Sequence, residues 1–119
     1  MASQPTPNVT VADVERIVRR DFPEDRTAEV LAMLDEYGAE SWQREPERVR
    51  LAVLKLAAGS AEQVRCEIDG AKCDYRDVLA FAEYPAYTES VPVSGALPPE
   101  EEQRIIDSDW SQYQRWLVE

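Results

Sequence analysis

Apolar residues recur along most of this chain at steps of three and four, the period of a helix buried on one side. In the first such stretch Val11, Val14, Ile17 and Val18 share one stripe, with Thr10 placed as an N-cap and Pro23 disfavouring helical geometry at Phe22. The pattern predicts a helix over 10–21. A second helix is expected to begin around Pro23 to Asp25, with proline and acids in its first turn. Val30, Leu31, Met33, Leu34 and Tyr37 form its apolar arc, and Gly38 supplies a left-handed stop. A short connection over 39–44 carries Trp42. Pro46 then opens a third helix, which Gly59 closes. Its pattern is two-sided, with Val49, Ala52, Val53, Leu56 and Ala57 on one face and Leu51, Leu54 and Ala58 on another. Such a helix lies either at the centre of a core or against a partner.

Ser60 and Gln63 form a capping box for a fourth helix running from Ala61 to Tyr84, ahead of Pro85. Val64, Ile68, Ala71, Tyr75, Val78 and Ala82 make an unbroken stripe along it, and at 1.5 Å per residue it would be roughly 35 Å long. The Gly59–Ser60 junction folds the third and fourth helices into an antiparallel hairpin. Periodicity then disappears between Pro85 and Pro99, where an extended, proline-containing loop is expected over 85–99. Pro98 and Pro99 open a fifth helix over 99–118 with Ile105, Ile106, Trp110, Tyr113, Trp116 and Leu117 on its apolar face. Residues 1–9, with two prolines and no period, read as a flexible arm. The expectation is an all-α, single-domain bundle of about five helices over 10–119, built around the helix 3–helix 4 hairpin. The last helix packs on its own bundle or, by exchange through the loop, on a neighbouring copy.

A chain of 119 residues is long enough to hold one core without disulfides or metal. No apolar run approaches the ~18 residues of a spanning helix, and the N-terminal residues lack the basic and apolar segments of a signal peptide. A soluble, cytoplasmic protein is expected. Among the basic residues only Lys55 and Lys72 are lysines, a skew that fits a GC-rich bacterial genome. Acids outnumber bases 24 to 13, for a net charge of −11. That balance argues against direct binding to nucleic acid or to an anionic membrane, and it favours a partner with a basic surface. Many of the acids, however, fall where a helix N-terminus is stabilised by negative charge: Asp13, Glu24, Asp25, Glu45, Glu47, Glu62, Glu100, Glu101 and Glu102.

The absent residues narrow the chemistry. There is no histidine, which removes Ser-His and Cys-His nucleophile pairs and histidine acid–base catalysis. Gly38, Gly59, Gly70 and Gly95 are too far apart for a phosphate-cradling loop. Cys66 and Cys73 lie seven apart. On one helix this separates their Cα atoms by about 10 Å, beyond the ~7 Å reach of a disulfide. With Gly70 and Ala80 they mark a face of small residues opposite the main stripe, where a second helix could approach. Carboxylates are the remaining catalytic route, with Asp74 and Asp77 one turn apart and Glu36 near Glu40. Their order and spacing do not match the acidic clusters of helical magnesium-dependent nucleotide pyrophosphohydrolases, so no catalytic residue, metal or cofactor is assigned.

The function these observations favour is a small acidic interaction module, of the kind formed by immunity proteins, antitoxins or inhibitors that occupy a basic site on another protein. The candidate contact residues are Asp69, Asp74, Asp77 and Glu83 on the fourth helix, with Trp42 and Tyr87 as aromatic anchors. The alternative is a homo-oligomeric scaffold, a homodimer being the simplest form, using Leu51, Leu54, Cys66 and Cys73. A carboxylate–magnesium enzyme is the third.

Overall fold

A computed structural model describes residues 4–94 and 98–119. Six α-helices follow one another: α1 (Val11–Asp21), α2 (Thr27–Leu34), α3 (Pro46–Ala57), α4 (Ala61–Glu83), α5 (Pro85–Ser94) and α6 (Pro99–Val118), with a single 3-10 turn at Glu24–Arg26 before α2. There is no strand among the described residues. The chain is an all-α bundle, as its periodicity implies. Its most extensive helix–helix contact is between α3 and α4.

Local chemistry explains most boundaries. The Thr10 amide donates to the Asp13 carboxylate at 2.9 Å, which starts α1. Pro46 occupies the first turn of α3, and Ala58 and Gly59 end it in left-handed conformation (φ 50° and 85°). Ser60 Oγ accepts the Gln63 amide at 3.2 Å and starts α4. Arg50 crosses to the C-terminal end of α2, donating to the carbonyls of Leu34 (3.0 Å) and Tyr37 (2.7 Å). Gly38 is required beside it. Its φ is +107°, and a Cβ there would stand 2.9 Å from the Pro46 ring and 3.0 Å from Arg50.

The helix α3 is the centre of the core. Val49, Leu51, Ala52, Val53 and Leu54 are fully enclosed, packed among Ile17, Val18, Val30, Leu34, Val64 and Ile68. This corrects the assignment of Leu51 and Leu54 to self-association, because neither reaches the surface. Both faces of α3 are apolar because most of each is buried within one chain, Leu56 being half-buried and Ala58 exposed at the helix end.

Three further expectations give way. The described part of the expected 85–99 loop is helical to Ser94, and 95–97 lie outside the described residues. The cause is a distant partner: the buried Asp109 carboxylate of α6 accepts the backbone amides of Ala86 (3.3 Å) and Tyr87 (2.9 Å). It thus supplies from another helix the anion that the first turn of α5 needs. Secondly, α4 is not continuous, for Asp74 is extended (φ −154°, ψ 98°). Its carboxylate accepts the Arg76 amide at 3.0 Å, so it caps the segment that follows rather than continuing the one before. Thirdly, the described part of the N-terminal arm is docked: the Tyr84 hydroxyl donates to the Pro5 carbonyl, Pro7 is buried and Val9 packs on the core; residues 1–3 lie outside the described residues.

The helix α6 packs on its own chain. Arg16 donates to the Leu117 carbonyl at 2.7 Å and Arg20 to that of Trp116 at 2.6 Å, while the Arg20 guanidinium stacks 5.3 Å over the Trp116 ring. Replacing the α5 anchor by Asp109→Ala is expected to lower stability by about 1–3 kcal/mol, as loss of a buried, charge-assisted acceptor for two part-buried amides. Hydrogen exchange should accelerate first at residues 86–89 while α3 and α4 keep their protection. Unchanged exchange there would show that α5 holds without Asp109.

Candidate functional site

A groove of mixed character runs along the outer side of α4. It has a volume of about 630 Å³ and is lined by Leu56, Glu67, Gly70, Cys73, Asp74, Asp77, Val78, Phe81, Pro85 and Glu89. Its geometry follows from helical spacing. Cys66, Gly70, Cys73, Asp77 and Phe81 step along one side of α4, opposite the stripe that fills the core, and Leu56 of α3 and Pro85 of α5 close the edges. Phe81 is 49% exposed, a large ring left in water beside the half-buried Leu56. Gly70 is open: a Cβ built on it meets nothing within 4 Å.

Every charged residue lining this groove is a carboxylate. Asp74 is engaged by Arg76 at 3.1 Å, which holds its carboxyl below the usual range through that hydrogen bond. Glu67 accepts from Gln63 at 2.9 Å. Asp77 and Glu89 make no hydrogen bond or ion pair among the described residues. The lining therefore combines apolar side chains with carboxylates, two of them uncommitted.

The other candidates divide among different places. Asp69 lies away from the groove, 3.9 Å from Arg65 and 4.0 Å from Lys72. These two cations mainly serve Glu36, at 2.6 and 2.9 Å. The bonds from Arg65 and then Lys72 hold the Glu36 carboxyl down from 4.5 to about 2. Glu83 is not a contact residue at all. It is buried, and both its oxygens are taken by Arg48, at 2.6 and 2.7 Å. The assignment of Glu83 to an acidic surface is corrected by this pair. Tyr87 joins two helices, donating its hydroxyl to Glu102 at 2.8 Å. Trp42 is 52% exposed on the connection between α2 and α3, outside the groove. Cys66 and Cys73 are both exposed, and Cys73 lines the groove.

Comparison with protein-family models, with curated proteins and with solved structures returned no match for this chain. The site is therefore judged on its own geometry. Among the described residues no three His, Cys, Asp or Glu side chains come together so as to hold a metal ion, and Glu36 and Asp74 are already bonded to cations. No helix among them is long and apolar enough to cross a membrane.

Phe81, Glu67 and Glu89 are the groove residues that periodicity alone did not single out. Phe81 had a signal. It stands four residues beyond Asp77, on the same side of α4 as the two cysteines, where a large apolar ring has no core to fill.

Proposed function

We propose that the protein is a small acidic interaction module that engages a basic surface of another protein through the α4–α5 groove. The observation that carries this reading is the groove's lining: apolar side chains together with carboxylates as its sole charged groups. Buried apolar anchors supply affinity at such surfaces, and like-signed rim charge steers an oppositely charged partner and rejects the wrong ones. A role resembling immunity proteins, antitoxins or inhibitors, which occupy basic sites, is consistent with the net charge of −11. Two exposed, unpaired thiols suit a reducing compartment such as the cytoplasm.

The test is capture of a partner from lysate of the source cells at low salt and at ~0.5 M salt, where the Debye length falls to a few ångströms. The parent chain is compared with Asp77→Lys/Glu89→Lys and with Asp69→Lys. A basic partner held by the parent and by Asp69→Lys, but bound about tenfold more weakly by the double variant, is the expected outcome, with the loss mostly in association rate. Equal affinity for parent and double variant, or equal loss with Asp69→Lys, would place the interaction elsewhere.

A further inference from the structure

The reading of the α4–α5 groove as a binding surface leaves open what shape of partner it takes, and the inference here rests on that reading. We propose that the groove receives an amphipathic α-helix of the partner, which sets a bulky apolar side chain against Leu56, Val78 and Phe81 and carries Lys or Arg along its flanks. Four observations lead there. The lining residues of α4 lie on both sides of the break at Asp74, from Glu67 to Cys73 and from Asp77 to Phe81, runs of about 9 Å and about 6 Å at the helical rise, so each side meets one to two turns of a docked helix. Gly70 is empty above its Cα, so another backbone can pass close to α4 at that point. The walls are helices, broken at Asp74, and no strand lies among the described residues, so an extended peptide finds no sheet edge to pair with and would forgo the main-chain bonds that such peptides rely on. The carboxylates Glu67, Asp74, Asp77 and Glu89 share this short groove with its apolar residues. An occupant must therefore show an apolar stripe and basic flanks together, as an amphipathic helix does.

A second copy of this chain fits less well. It would bring a groove lined by carboxylates against another from a chain of net charge −11, and like-charge juxtaposition is costly.

The test uses two labelled synthetic peptides of about 18 residues, each long enough to span the groove. Both contain the same leucines and lysines. In one the leucines recur at steps of three and four, and in the other leucine and lysine alternate at the strand period. Against the full chain at low salt, the helical-period peptide should bind with a Kd of about 10 µM or tighter. The alternating peptide should bind at least tenfold more weakly, a difference of one decade. Amide signals of Gly70, Cys73 and Phe81 should shift on titration. Gly70→Trp fills the open space without touching the core and should weaken the helical-period peptide by about tenfold or more, the effect expected of a blocked hot spot. Phe81→Ser, at a half-exposed position, should do the same and serves should the tryptophan variant fold poorly.

The outcomes separate the two readings. Equal binding of both peptides, lost with Asp77→Lys/Glu89→Lys, would keep the acidic binding surface and overturn the helical occupant. Binding of the helical-period peptide that ignores both Gly70→Trp and Phe81→Ser would also overturn it. Failure of both peptides to bind at low salt would count against the groove as a binding site altogether.

Discussion

Arg48→Met is expected to destabilise the fold by about 3–5 kcal/mol, the loss typical of removing one partner from a buried ion pair. The Glu83 side chain is 3% exposed and the Arg48 side chain 19%. Arg48 makes both of the Glu83 bonds, at 2.7 and 2.6 Å, so the substitution strands a carboxylate where water does not reach. Hydrogen bonding to Glu83 is also the main reason the Arg48 guanidinium is held above its ordinary range. The reverse change, Glu83→Gln, should cost less. Arg48 would keep Glu45 at 2.8 Å on its exposed side, and the glutamine can still accept one bond. Nearby, the buried Tyr113 hydroxyl has no hydrogen-bond partner among the described residues, and burial pushes its phenol well above the ordinary range; its one neutral donor would offset only part of the loss of two charged ones. The double variant Arg48→Met/Glu83→Leu should recover most of the loss, since removing both charges leaves none to solvate. Urea unfolding midpoints of the four proteins check the order. A loss below about 1 kcal/mol for Arg48→Met would mean that the pair behaves as a surface bridge.

Such a pair is where reading the chain from its sequence reaches its limit. Helical periodicity fixes which side of its own helix a residue such as Glu83 occupies and says nothing of what covers that side. Arg48 lies thirty-five residues earlier, and only the packing of α3 on α4 brings the two together. The hairpin itself was legible: Gly59 and Ser60 are local signals that act in the structure as their chemistry requires. The capping box is only half made, since the Gln63 side chain turns to Glu67 and the Ser60 amide bonds the Ala57 carbonyl. The helix α5 was not. Its prolines and its weak apolar stripe point to a loop, and the group that starts it, Asp109, sits on another helix. Helix starts encoded across long sequence separations leave no local pattern to find.

The groove was half legible. Asp74, Asp77 and Cys73 meet in it as their spacing on one helix suggests, and the small residues around Gly70 do leave a face open. What periodicity could not weigh is which acids were already spoken for. Asp69 and Asp77 look alike in the sequence, yet Asp69 lies close to two cations while Asp77 has no bonded partner among the described residues. The break at Asp74 had a local cue: aspartate with a second acid three residues on resembles a helix start inside a longer apolar pattern.

Leu54→Ala is expected to cost about 2–5 kcal/mol while leaving the oligomeric state unchanged, the signature of a cavity rather than of a lost contact between copies. Leu54 is fully buried, with Leu51, Val53 and Val49 around it on the central helix, and alanine there would leave a void the rigid hairpin cannot close. Leu51→Ala should behave alike. Leu56→Ala is the informative contrast, since Leu56 is half-buried and lines the groove. Its stability loss should be smaller, about 1 kcal/mol for a partly exposed side chain, yet it alone of the three should weaken a docked apolar anchor. Two apolar faces on one helix thus separate by what each variant disturbs. Thermal unfolding and light scattering across ~1–100 µM, where weak self-association shows, measure the first effect, and peptide affinity the second. If Leu54→Ala instead left stability intact and dissociated an oligomer, the central placement of α3 would be wrong, and the groove reading, which depends on α4 turning its other face to that core, would fall with it.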